Sequence, residues 1–133
     1  MRLEALNALT DRILAAAFAV HTELGAGLLE STYQACLAYE LAKRGLEVEV
    51  QVPLPVVYDG QKLLDVGYRI DILVERRIVL ELKAIETLAP VHRAQLLSYL
   101  KHSGNRVGLL INFNVERLKD GIVRIINGYE REG

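Results

Sequence analysis

Apolar and polar residues alternate along two adjoining stretches of the chain, Arg69-Ile70-Asp71-Ile72 and Leu80-Glu81-Leu82-Lys83, with a charged turn between them. A period of two predicts strands, so Glu81 and Lys83 share one face while Leu80 and Leu82 point the other way. Where Asp71 falls depends on the turn. A three-residue connection, Glu75 to Arg77, pairs Val74 with Ile78 and hence Asp71 with Glu81, on one face and roughly 5 Å apart at Cβ. A two-residue turn at Arg76-Arg77 pairs Asp71 with Leu82 and sends it to the other face unless a bulge intervenes.

The rest of the pattern supplies a frame for these strands. Leu6, Leu9, Ile13, Ala16, Val20 and Leu24 recur at steps of three and four, predicting an amphipathic helix that ends at Gly25, with His21 as a structural residue of its last turn. After Gly25-Ala26-Gly27 a second helix is expected from Leu28 to about Arg44, closed by Gly45. Glu30, Tyr33, Leu37 and Leu41 fall on one stripe of it, an unusual place for a carboxylate, which is aimed inward unless it serves only the helix N-terminus. Glu47 to Val52 alternates, with Val48, Val50 and Val52 inward, and Pro53 and Pro55 push this strand to an edge. A hairpin through Asp59-Gly60 leads into the Asp71 strand, completing a three-stranded antiparallel meander. Pro90 opens a third helix that runs to about His102, with His92, Gln95 and Tyr99 on one stripe. Val107 to Asn112 reads as a buried strand, and Val115 to Leu118, Asp120-Gly121 and Ile122 to Ile126 as a terminal hairpin or strand, before a charged tail after Asn127 that is expected to fray.

Composition narrows the class. With 133 residues, 51% hydrophobic and 25% charged, the chain suits one soluble domain, 1–133, with a single core. The single cysteine, Cys36, rules out a disulfide framework and a CxxC metal motif. The apolar stretch from Ile13 to Val20 is too short to span a bilayer, and no signal peptide is evident, so a cytoplasmic location is the expectation. A net charge of −1 means that any phosphate-binding surface must be local.

Asp71 and Glu81 side by side repel, so they must be exposed, paired or holding a cation. Hard oxygen donors suit Mg²⁺ or Mn²⁺. The simpler alternative is that Lys83 bridges the two carboxylates on a solvated hairpin.

The segment HTELGAGLLESTY, with Gly27, Glu30 and Tyr33, resembles the signature of the GxxExxY family, a branch of the PD-(D/E)XK nuclease superfamily. Asp71, the triplet Glu81-Leu82-Lys83, and HRAQLLSYLK with Gln95 and Tyr99 match the remaining superfamily elements in order, across residues 10 to 113; Ala26 stands where proline is frequent. The resemblance implies an α/β, restriction-endonuclease-like core: a central mixed sheet, containing the antiparallel meander, flanked by helices. It implies a Mg²⁺-dependent (or Mn²⁺-dependent) nuclease in which Asp71 and Glu81 hold the metal, Glu30 adds a third carboxylate directly or through water, Lys83 orients water and stabilises charge, and Gln95 and Tyr99 position the phosphate, with His92 a weaker candidate. The expected partner is nucleic acid, DNA or RNA, with no membrane, and apolar residues such as Leu28 and Leu63 are candidates for a homodimer face. The competing expectation is a catalytically inactive nucleic-acid-binding or protein-interaction module on the same fold.

Overall fold

The period-two stretches form strands and the three-four stretches form helices in a computed structural model of the protein, which describes residues 2–128. In chain order these are α1 (Leu3–Leu24), α2 (Glu30–Lys43), β1 (Val48–Tyr58), β2 (Gln61–Val74), β3 (Ile78–Lys83), α3 (Pro90–Ser103), β4 (Val107–Asn112) and β5 (Ile122–Ile126), the last preceded by a short 3₁₀ turn, Leu118–Gly121. The tail expected to fray lies, from residue 129 onward, outside the described residues. No helix among the described residues is long and apolar enough to cross a membrane.

The five strands lie in sequence order. β1, β2 and β3 form the expected antiparallel meander, β3 and β4 run parallel, and β5 returns antiparallel to β4. A parallel pair requires a crossover, and α3 supplies it. All six residues of β4, VGLLIN, are buried, as befits a strand covered on both faces. On one face α1 and α2 pack Leu9, Ile13, Val20, Leu37 and Leu41 against Ile72, Val74, Leu80, Leu82 and Ile111. On the other, α3 packs Leu96, Tyr99 and Leu100 against Leu73, Val79 and Leu110. A Cβ at Gly108 would lie 2.8 Å from a Leu96 methyl, so the absence of a side chain there lets α3 sit close on the sheet.

The outer strands depart from strict alternation. Val50 pairs with Ile72 and Val52 with Ile70, yet Ile72 joins the core under α1 and α2 while Ile70 joins the core under α3. Alternation would keep both isoleucines on one face, so the ribbon changes face between them, at the level of Gln51 and Asp71. Val48 and Val52 accordingly pack on opposite faces, and Val50, expected inward, is 49% exposed. β1 is an edge strand, as the prolines suggest, but it runs straight through Pro53 and Pro55 with irregular register after Leu54.

Candidate active site

The turn after β2 decides whether the carboxylates meet. It is the three-residue connection Glu75–Arg77, with Glu75 and Arg76 both at φ 53°, and it pairs Val74 with Ile78, Leu73 with Val79 and Ile72 with Leu80. The backbone ladder stops there, because β3 continues alongside β4 to Lys83–Asn112 while β2 twists away. Side chains take over where the strands part. The Asp71 N–H donates to Glu81 Oε1 at 3.2 Å, and the Leu82 N–H donates to Asp71 Oδ2 at 2.8 Å. Each carboxylate thus spends one oxygen on the backbone of the opposite strand and keeps the other.

Burial and mutual repulsion set the charge of this pair. Glu81 is only 4% exposed. Burial first, and the neighbouring Asp71 charge second, push its pKa from 4.5 to about 8, against the opposing pull of the Asp71 N–H and of Lys83. Asp71 is raised as well, by burial, with the Leu82 N–H, Lys83 and Gln51 working the other way. At neutral pH the pair therefore holds a proton unless a cation replaces it.

Lys83, two residues beyond Glu81, lies on the same strand face. No salt bridge joins it to either carboxylate among the described residues, so the simple bridged hairpin is not what the chain builds. Instead Lys83 lines a groove of about 520 Å³ with Val91, His92, Ala94, Gln95 and Ser98 of α3. Its strand end is fixed by buried Asn112, whose amide side chain accepts from Ile85 N–H and donates to Ile85 C=O, and by the Phe113 N–H, which donates to the Lys83 carbonyl.

Helix α3 contributes Gln95, exposed in the groove, and Tyr99, 8% exposed below it. Burial and the negative charges of Glu81 and Asp71 push the Tyr99 pKa up to about 12, so its hydroxyl stays protonated, in a hydrogen bond with Gln95. The Tyr99 ring stacks on Tyr68 at 4.6 Å and 6°. His92, by contrast, serves the helix itself, because its Nδ1 accepts the Ala89 N–H at 2.8 Å and caps α3. His21 is likewise engaged structurally, with its Nε2 2.8 Å from the Val115 carbonyl oxygen.

Glu30 sits elsewhere than its wheel position suggests. α2 begins at Glu30 and not at Leu28, so the residue occupies the helix tip and is exposed. Its carboxylate still faces the sheet end: partial burial raises its pKa, the Lys83 ammonium opposes this, and Asp71 adds to it. Among the described residues no group of three acidic, histidine or cysteine side chains could hold a metal ion, so Glu30 does not complete a three-carboxylate metal site with Asp71 and Glu81. Tyr33 fixes the loop that precedes Glu30. The Tyr33 ring, fully buried, stacks on Phe113 at 4.5 Å, and its hydroxyl donates to Gly25 C=O at 2.6 Å while accepting the Leu28 N–H at 3.2 Å. Gly25 and Gly27, at φ 70° and 96°, give the loop the reversal that this staple needs.

Four residues of the site carry no chemical signature in the sequence: Gln51, Gln34, Tyr68 and Asn112. Only Asn112 left a trace, as a lone polar residue closing an apolar strand. Gln51 donates to Gln34 Oε1 at 2.7 Å and to Asp71 Oδ1 at 3.4 Å.

No curated protein and no solved structure gives a match. A family model described as the PD-(D/E)XK nuclease superfamily matches residues 7–125, a span that takes in Glu30, Asp71, Glu81, Lys83, Gln95 and Tyr99. With a mixed five-stranded sheet between helices in agreement with a restriction-endonuclease-like core, the chain belongs to the PD-(D/E)XK nuclease superfamily.

Proposed function

We propose that the protein is a divalent-cation-dependent nuclease that hydrolyses phosphodiester bonds of nucleic acid. The observation that carries this reading is the strand fork: the buried Glu81 and the half-buried Asp71 share one locus, each with an oxygen that the opposite backbone leaves unused, and burial first and the Asp71 charge second drive Glu81 toward protonation. An all-oxygen pair of this kind fits Mg²⁺ or Mn²⁺, and Asp71 and Glu81 are the residues that would hold it. Such a cation supplies positive charge to a phosphate oxygen and acidifies water.

The chain's own groups do the rest. Lys83, without a salt bridge among the described residues and open to the groove, orients the attacking water and meets the charge that develops on the phosphate. Tyr99 offers a hydroxyl that remains a donor at any working pH, and Gln95 carries the same donor function to the groove surface. Glu30 acts from the tip of α2, through water, on the cation and on Lys83. Asp71→Asn, Glu81→Gln and Lys83→Ala should each lower Mg²⁺-dependent cleavage of a labelled oligonucleotide by at least about 100-fold while the circular dichroism spectrum stays unchanged. Cleavage that survives in Lys83→Ala and persists in a chelator rejects the assignment.

A second reading, a protein-interaction module that has lost catalysis, is favoured by one feature. Beyond Leu54 and Tyr68 the β1–β2 hairpin carries exposed Val57, Tyr58, Leu63 and Leu64, an apolar surface of the kind that partners cover. Under that reading the wild-type protein cleaves no DNA or RNA oligonucleotide in Mg²⁺ or Mn²⁺.

A further inference from the structure

The backbone of Gln51 stands in the left-handed region, φ 51°, in the interior of a strand. Glycine, asparagine and aspartate reach that region at low cost, and a longer side chain is held there only when its surroundings insist. The neighbours show what is obtained in exchange. At this level β1 and β2 both turn their faces over, with Val48 and Ile72 in one core and Val52 and Ile70 in the other. The turnover brings the Gln51 amide between α2 and Asp71. One amide nitrogen serves two acceptors, Gln34 Oε1 at 2.7 Å and Asp71 Oδ1 at 3.4 Å.

Asp71 Oδ1 is the oxygen that the backbone leaves unused, since Oδ2 takes the Leu82 N–H. A carboxylate held by one oxygen alone can still rotate its other oxygen out of the fork. A second donor on that oxygen stops the rotation and leaves a lone pair free. Gln34, one helical turn from Glu30 on α2, takes up the position of the Gln51 amide and so ties helix, edge strand and Asp71 together.

We infer that Gln51 is a positioning residue: strained into place on the edge strand and braced by Gln34, it aims the free oxygen of Asp71 at the cation site. The inference rests on the metal-dependent reading of Asp71 and Glu81 and adds to it a residue that meets neither substrate nor reacting atoms.

Two variants separate the amide from the backbone. Gln51→Asn suits the left-handed conformation better but falls one methylene short of Asp71; Gln51→Met keeps the reach and loses the donor. Mn²⁺ titration of the metal-free protein, followed by calorimetry, should show affinity weakened by about 10-fold or more in both, the usual cost of removing a group that orients a metal ligand. The melting temperature of metal-free Gln51→Asn should equal or exceed that of the wild type, because the backbone is relieved. Wild-type affinity in either variant overturns the inference, as does a Gln51→Asn protein that melts lower yet binds Mn²⁺ normally, the result of a purely structural bond. A wild-type protein that binds no Mn²⁺ overturns the cation site itself, and with it this role for Gln51.

Discussion

Glu81 ties the stability of the protein to pH. Between its ordinary value of 4.5 and about 8, the folded state keeps a proton on this carboxyl that the unfolded chain has already released. The folded state binds more protons across that window, so stability is fully present below the window and is lost as pH rises through it. Asp71 and Glu30 are shifted in the same direction and add to the slope. The metal-free protein should therefore melt at a lower temperature at about pH 8 than at about pH 5, and Glu81→Gln should flatten most of that decline. Mg²⁺ should restore more stability at the higher pH, where it no longer competes with a proton; a wild-type melting curve indifferent to pH would show that the carboxyl titrates normally. None of this was legible from residue types. The pairing of Asp71 with Glu81 followed from a period of two and one turn length, but the burial of Glu81 depends on α3 and β4, which arrive later in the chain.

At the level of elements, the Tyr33 hydroxyl bridges the two ends of the loop between α1 and α2. Tyr33 is legible as a stripe residue of α2, and its ring does pack, against Phe113. Its hydroxyl looks backward to Gly25 and Leu28, which no wheel displays. Tyr33→Phe keeps the stack and leaves the Gly25 carbonyl and the Leu28 amide without their partner, at a cost of about 1–3 kcal/mol in urea unfolding. Glu30 starts the helix directly after this loop, so cleavage should drop further than in Leu37→Val, a variant chosen to lose similar stability far from the loop. Equal activity in the two would make Tyr33 only a core residue. The helix limits themselves were readable from glycine and proline, except the start of α2, where Leu28 and Leu29 extend the apolar pattern but the backbone stays extended at Leu29, φ −72° and ψ 147°.

Across the whole molecule the legible part is whatever repeats: the helical stripes, the meander, and the apolar run of β4. The turnover of the ribbon at Gln51 and Asp71 was hidden because VEVQV reads as flawless alternation, and a glutamine gives no notice of a positive φ. That same turnover parts β2 from β3, and the seam between the antiparallel and parallel halves of the sheet is closed there by side chains. Two amides, those of Asp71 and Leu82, are shielded by a carboxylate borrowed from the opposite strand and not by a neighbouring carbonyl. Hydrogen–deuterium exchange should display this as a crossed pattern. Glu81→Ala releases the Asp71 amide and Asp71→Ala the Leu82 amide, each on the strand that was not mutated, while the amides of Leu73 and Val79 further down the ladder stay slow. Exchange at two backbone positions thus reports on the occupancy and charge of the site in the absence of any substrate.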